Sequence, residues 1–230
     1  MSETILQGGR TRLGVVKIDE TVRRPLNQNS QFASSLLKHL EAVGFSKAPR
    51  YLGRDDQDRD ILTFIKGDVP HDLGWFSDEV LTAAAELILE FHNATVTLLN
   101  TNVCNQLDLE VVCHNDLSPC NFVFSGNLPI GIIDFDMAAP GPRKYDLGYA
   151  AWLWLDIGNK DIDAREQARR LALFAASYAR HLHLTDLLNS MIQRQKLLIS
   201  DGDQKGNESM QRWARDCLDW TITHLLPRIS

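Results

Sequence analysis

The sequence predicts an α+β chain in two parts. Residues 1–66 read as a small, mostly antiparallel sheet carrying one helix, and residues 67–230 as a larger, mostly helical part. Three observations lead there. Short β-prone runs surround a single helical period in the first part. A Gly-, Pro- and Asp-rich stretch, "KGDVPHDLG" at 66–74, then breaks the texture after an apolar strand, as a hinge would. Beyond that stretch, most of the chain carries apolar residues at helical spacing.

Taken in order, "TILQGG" and "GVVKI" read as strands joined through "GGRTRLG", and "TVRRP" as a third that Pro25 closes. "SQFASSLLKHLEAVG" reads as a helix with Asn29 or Ser30 as N-cap and Gly44 as its stop. "PRYLG" and "DILTFI" form a hairpin around "RDDQDRD". "SDEVLTAAAELILEFHNATVTL" opens on Ser77 as N-cap with two acids in the first turn, where they suit the helix dipole. Val80, Leu81, Ala84, Leu87, Ile88 and Phe91 line its buried face, and His92 beside them reads as structural. Further helices are expected at 161–183, 185–199 and 207–226, the last capped by Asn207.

Charge separates the two parts. The net charge is −6, yet residues 1–66 carry 11 Lys/Arg against 8 Asp/Glu, whereas residues 67–230 carry 13 against 22. A basic first part and an acidic second suggest an anionic ligand at one end and a cationic one at the other. There is no basic stripe with interleaved aromatics, which argues against nucleic acid as a partner. No run approaches the roughly 18 apolar residues of a membrane span, and "MSETILQGGR" lacks a signal-peptide layout. Four cysteines without a CxxC read as reduced thiols in a cytoplasmic protein. Oligomeric state is not legible.

The chemistry concentrates in "CHNDLSPCNFVF" (113–124) and "GIIDFD" (131–136). "NFVF", "SGN" and "LPIGIID" read as strand, turn and return strand. A hairpin in which paired residue numbers sum to about 255 sets Asn121 opposite Asp134 at its open end, with Asp116 in the loop at the same end. Two carboxylates and an amide oxygen brought together are costly unless a cation joins them. Mg²⁺ suits such a sparse oxygen set, because it keeps water and phosphate oxygens in its remaining positions. The order H-x-D-x-x-x-x-N followed by D-F-x is that of kinase catalytic loops, in which the Asp accepts the proton of the attacking hydroxyl.

"HNDLSPCN", "IIDFDMAAPGPRKYDLGYAAW" and "FIKGDVP" resemble the aminoglycoside phosphotransferase and choline-kinase-like group, within the protein-kinase-like fold. The resemblance is strongest over residues 61–155. It implies a bilobal chain, with 1–66 as the nucleotide-binding lobe and 67–230 as the catalytic and substrate-binding lobe. Asp116 would be the catalytic base, Asn121 and Asp134 the Mg²⁺ ligands, and His114, Asp136 and Asp146 their supports. ATP or GTP would be the co-substrate and a small molecule the acceptor, cationic if aminoglycoside-like or choline-like. The acids of the second lobe and Trp152, Trp154, Trp213 and Trp220 would then wall its cleft, although core packing is the simpler role for the tryptophans.

Two departures from the pattern stand out. "QGGRTRLG" is the only candidate for a phosphate loop, through Gly8 and Gly9. The strand expected to supply a Lys offers Arg23 and Arg24, and alignment on Pro25 favours Arg23 as the phosphate cation. The helix after that strand has no acid in its first half, and Glu41 lies too near its end to pair with that cation. These departures motivate a second expectation, a non-catalytic immunity module that captures a toxic small molecule or peptide. A hydrolase with Asp134 or Asp136 as nucleophile fits poorly, since these residues end a hairpin and do not follow a parallel strand.

Overall fold

A computed structural model describes residues 3–6, 14–101, 109–179 and 181–229. Gly8 and Gly9 lie outside the described residues, as does Cys104.

The first part is a five-stranded antiparallel sheet built from β1 (Thr4–Ile5), β2 (Val16–Ile18), β3 (Thr21–Arg24), β4 (Tyr51–Arg54) and β5 (Asp60–Thr63), in the order β1-β2-β3-β5-β4. Helix α1 (Ser30–Ala42) crosses between β3 and β4 and buries Ala33, Leu36, Leu37 and Leu40, an i, i+3, i+4, i+7 set. Asn29 takes the N-cap position, but its side chain bonds elsewhere and does not cap the helix.

The second part begins with α2 (Asp78–Thr101), whose first turn is capped by the Ser77 hydroxyl accepting from Val80 N at 3.3 Å. Strand β6 (Val111–Cys113) pairs with β9 (Ala139–Gly141), and β7 (Phe122–Ser125) with β8 (Leu128–Ile132). Helices α3 (Arg143–Trp154), α4 (Ala164–Tyr178), α5 (Leu184–Lys205) and α6 (Glu208–Trp220) complete the helical body, followed by a π-helical turn at Thr221–Leu225 and the short α7 (Leu226–Ile229). Asn207 caps α6 by accepting from Met210 N at 3.1 Å. One apolar core runs from Leu36 and Leu62 through Phe91 and Phe135 to Trp152, Phe174 and Leu225. Trp152 and Trp154 are fully buried within it, which gives them the packing role. No described helix is long and apolar enough to cross a membrane.

The segment after β5 is pinned to the β7–β8 hairpin. Asp68 and Phe124 exchange backbone hydrogen bonds of 2.9 and 2.7 Å, and Ile132 N donates to Lys47 O at 2.8 Å. Gly67 allows this approach. Its φ is +158°, and a Cβ there would collide with the Phe124 carbonyl oxygen.

Two local expectations change. Pairing in the hairpin runs Phe122↔Ile132 and Ser125↔Leu128, with a shift between Val123 and Phe124, so the numbers sum to 254 and then 253. Asn121 is therefore level with Ile133, whose N–H donates to its carbonyl at 2.9 Å, and Asp134 lies one residue beyond. Helix α3 also appears where no helix is expected. Leu147, Gly148 and Ala150 to Trp154 are all buried, so this segment shows no polar face to mark its period.

Candidate active site

The loop from His114 to Asn121 is held from several sides. Asp146, fully buried on α3, accepts from the backbone N–H groups of His114 (2.7 Å) and Asn115 (2.9 Å) and from His92 Nε2 at 3.1 Å. Behind it, Arg143 Nη1 donates to the Tyr178 hydroxyl at 3.0 Å, which lies 2.9 Å from His92 Nδ1. Burial by itself raises the Asp146 carboxyl, but the hydrogen bond and charge of His92 and the neighbouring His114 outweigh it and hold the group below the usual carboxylate range. Burial pushes the Tyr178 phenol up to about 12.

His114 links the loop to the return strand. Its Nε2–H donates to Ile133 O at 2.9 Å, while Nδ1 accepts from Asp116 N at 3.3 Å. Asn115 sits at φ 66°, in the left-handed region that Asn tolerates better than most side chains. Its side-chain amide donates to Met137 O at 2.8 Å, and its carbonyl accepts from Arg194 Nη2 at 2.9 Å. Asn121 Nδ2 donates to both the backbone oxygen (2.8 Å) and Oδ2 (2.9 Å) of Asp116. Both amide hydrogens are thereby committed, which fixes the carboxylate and leaves the oxygen side of Asn121 for a ligand.

Asp134 occupies the left-handed region at φ 68°, ψ 64°, a conformation costing about 1–3 kcal/mol and typical of functional sites. Arg24 Nη2 bridges Asp134 Oδ1 (2.8 Å) and Asp136 Oδ2 (2.9 Å). Arg23 points the other way, as alternate residues of a strand do. Its Nη1 donates to Thr21 Oγ1 at 2.6 Å, and its Nε lies 3.6 Å from Asp55. Arg24, and not Arg23, is thus the arginine brought to the acidic cluster.

The helix acid missing from α1 has a structural counterpart of another kind. Glu41 pairs with Arg50 at 3.5 Å, away from Arg24. The face of α1 nearest Arg24 offers Ser30, Ala33, Ser34 and Leu37, none of them acidic, across a small cavity that Asp60 and Phe135 also line. In place of an ion pair, Asn29 Nδ2 donates to the carbonyls of Asp136 (2.8 Å) and Ala138 (3.1 Å), tying the start of α1 to the segment after Asp134.

Among the described residues, no group of three or more His, Cys, Asp or Glu gathers as a metal cage. The pair Asn121 and Asp134 is nevertheless the sparse oxygen set that Mg²⁺ uses beside phosphates. The bridge from Arg24 to Asp134 and Asp136 shows that these carboxylates collect positive charge. The residues present therefore fit Mg²⁺.

Sequence reasoning missed Tyr149 and Arg194. Tyr149, on α3, faces the Asp116 carboxylate. Burial and then that negative charge push its phenol well up, against the opposing pull of Arg194. Neither residue belongs to a local motif, and α3 and α5 bring them to the loop only through tertiary packing. The acids expected to wall an acceptor cleft are partly committed elsewhere. Asp163 caps α4 through Arg165 N (2.7 Å), Asp156 Oδ2 accepts from Asn159 (2.8 Å), and Asp203 lies 3.7 Å from Arg215.

The family model described as phosphotransferase enzyme family (APH) matches residues 99–187. The trifolitoxin immunity protein of Rhizobium leguminosarum bv. trifolii is 31% identical over 176 residues, covering 72% of this chain and 67% of its own length. Among solved structures, the GDP complex of an aminoglycoside 2'-phosphotransferase IIIa mutant is similar with a TM-score of 0.66 at 15% identity, covering 100% of this chain and 94% of that one. The gentamicin complex of APH(2")-IIa gives 0.61 at 17% identity, over 94% and 90%. A choline/ethanolamine kinase family protein from Mesorhizobium loti gives 0.59 at 14%, over 98% and 88%. The fold is therefore the protein-kinase-like fold of these enzymes, and the chain belongs to the phosphotransferase enzyme family.

Proposed function

We propose that this chain transfers the γ-phosphoryl group of a nucleoside triphosphate, ATP or GTP, to a hydroxyl of a small molecule. The observation that carries the reading is the double hydrogen bond from Asn121 Nδ2 to Asp116, which fixes that carboxylate at the end of a loop tied through Asn121 O and Ile133 N to the segment carrying Asp134 and Asp136. Residues 1–66 form the nucleotide-binding lobe and 67–230 the catalytic and acceptor lobe, with the hinge near 64–67. The nucleotide's β- and γ-phosphates lie toward Asp134, within reach of Arg24.

Asp116 accepts the proton of the acceptor hydroxyl as its oxygen bonds to the γ-phosphorus. The bond from that phosphorus to the β–γ bridging oxygen breaks, and the nucleoside diphosphate leaves. Asn121 keeps the base in line, and the His92–Asp146 pair keeps the loop carrying it in place. Mg²⁺ on Asn121 and Asp134, when bound, supplies neutralisation of the phosphate charge. Arg24, held on Asp134 and Asp136, orients the phosphates.

A second reading is favoured by one observation, that the 31%-identical relative is an immunity protein. On that reading the same cleft captures a toxic small molecule or peptide without turnover. A transfer assay with [γ-³²P]ATP and [γ-³²P]GTP against hydroxylated acceptors separates the two. Transfer that is lost in Asp116→Ala supports the enzyme. Transfer that survives in Asp116→Ala removes the base assignment, and acceptor binding without any transfer supports capture.

A further inference from the structure

Arg194 reaches the backbone of Asn115, next to the proposed base Asp116, and among the described residues it forms no ion pair. Its guanidinium lies over two phenol rings of α3, 4.3 Å from the Tyr145 centroid and 4.6 Å from that of Tyr149. Its hydrogen bond is the one to Asn115 O at 2.9 Å, and among the described residues no carboxylate lies within ion-pair distance of it. An arginine has five N–H donors in a planar fork suited to a carboxylate, so most of that capacity is unspent here. The aromatic faces hold the cation in place without cancelling its charge.

The position is built into the packing of the two helices. Gly148 lets α3 and α5 touch backbone to backbone. A Cβ at that position would lie 2.7 Å from Met191 N and 2.7 Å from Ser190 C. Ser190 Oγ also donates to Lys144 O at 2.6 Å. Arg194 lies one turn beyond Ser190, and Tyr145 and Tyr149 flank Gly148, so this contact is what stacks the guanidinium on the two rings. Tyr149 in turn faces Asp116.

We propose that Arg194, fixed on Tyr145 and Tyr149 beside Asp116, is an acceptor subsite that takes a carboxylate carried close to the reacting hydroxyl. The acceptor class is then a hydroxyl compound bearing a carboxylate, and not a polycationic aminoglycoside or an amino alcohol. The inference rests on the phosphotransferase reading and deepens it. A carboxylate next to the hydroxyl would be repelled by Asp116 unless a cation stood beside it, and Arg194 is that cation.

The test measures γ-phosphoryl transfer to N-acetylserine, to its uncharged counterpart N-acetylserinamide, and to kanamycin, with calorimetric nucleotide binding run in parallel. Wild-type protein is expected to favour the acid over the amide at least tenfold in kcat/KM and to leave kanamycin unlabelled. Arg194→Ala should lower that acid-to-amide ratio at least tenfold, chiefly through KM, and Arg194→Lys should restore part of it. The proposal is overturned if kanamycin or the amide is preferred, or if Arg194→Ala slows acid and amide equally through kcat, which would make Arg194 a prop for Asn115 alone. It is also overturned if none of the three is labelled. Intact Mg-dependent nucleotide binding would then leave the phosphotransferase reading standing, whereas loss of both would remove the two together.

Discussion

Asp146 is the residue on which the geometry of the catalytic loop depends most. It is fully buried and accepts three hydrogen bonds, two of them from the backbone N–H groups of His114 and Asn115 and one from His92. Asp146→Ala strands all three donors. An unsatisfied buried donor costs about 1–3 kcal/mol, so three give a loss of about 3–9 kcal/mol. That is a large share of the roughly 5–15 kcal/mol that holds a typical protein folded. With a urea slope of about 3 kcal/mol/M, the unfolding midpoint should fall by about 1–3 M. Asp146→Asn keeps one carbonyl oxygen but turns an NH₂ toward one backbone N–H, so its loss should be nearer one unsatisfied donor, about 1–3 kcal/mol. Urea unfolding followed by circular dichroism measures both. A shift under about 0.3 M for Asp146→Ala, close to extrapolation error, would refute the claim that this carboxylate organises the loop.

Other outcomes rest on the same contacts. The Asp146 carboxyl is held below its unfolded value, so the stability it contributes is present above the ordinary Asp pKa of about 3.9 and lost as pH falls through the lower folded value. Acid titration of stability should show wild-type losing more than Asp146→Asn below about pH 4. Arg24→Ala should raise the Kd for Mg-nucleotide about tenfold or more, the size of one lost charge-assisted contact, with Arg23→Ala changing it far less. Calorimetry of the two variants reverses that order if the strand presents its other face to the phosphates. Gly67→Ala forces a Cβ onto the Phe124 carbonyl at a positive φ and should cost about 2–4 kcal/mol, read as a lower urea midpoint.

Much of this was legible in the sequence because it is local. The helix stripe from Val80 to Phe91, the caps at Ser77 and Asn207, and the hairpin around Gly126 depend on residues a few positions apart, and each appears where its pattern sets it. The spacing from Asp116 to Asn121 likewise brought an amide against a carboxylate. The features that were not legible depend on packing or on a single irregularity. The hairpin turns between Gly126 and Asn127, one position earlier than a sum of 255 requires, and the bulge near Val123 recovers only one of the two residues of difference. Helix α3 hides because it is buried on nearly every side. The choice between Arg23 and Arg24 is made by which face of β3 meets Asp134, a fact of sheet placement that an adjacent proline does not report. Arg194 is brought to Asn115 from 79 positions away, by a helix contact that a single glycine permits.

The most direct test of the central claim is calorimetric titration of the protein with non-hydrolysable ATP and GTP analogues, each with and without Mg²⁺, in wild-type and Asp134→Ala. Mg-dependent binding of at least one nucleotide is expected, lost when Asp134 is removed. Binding of neither nucleotide, or Mg-dependent binding that Asp134→Ala leaves intact, would contradict it.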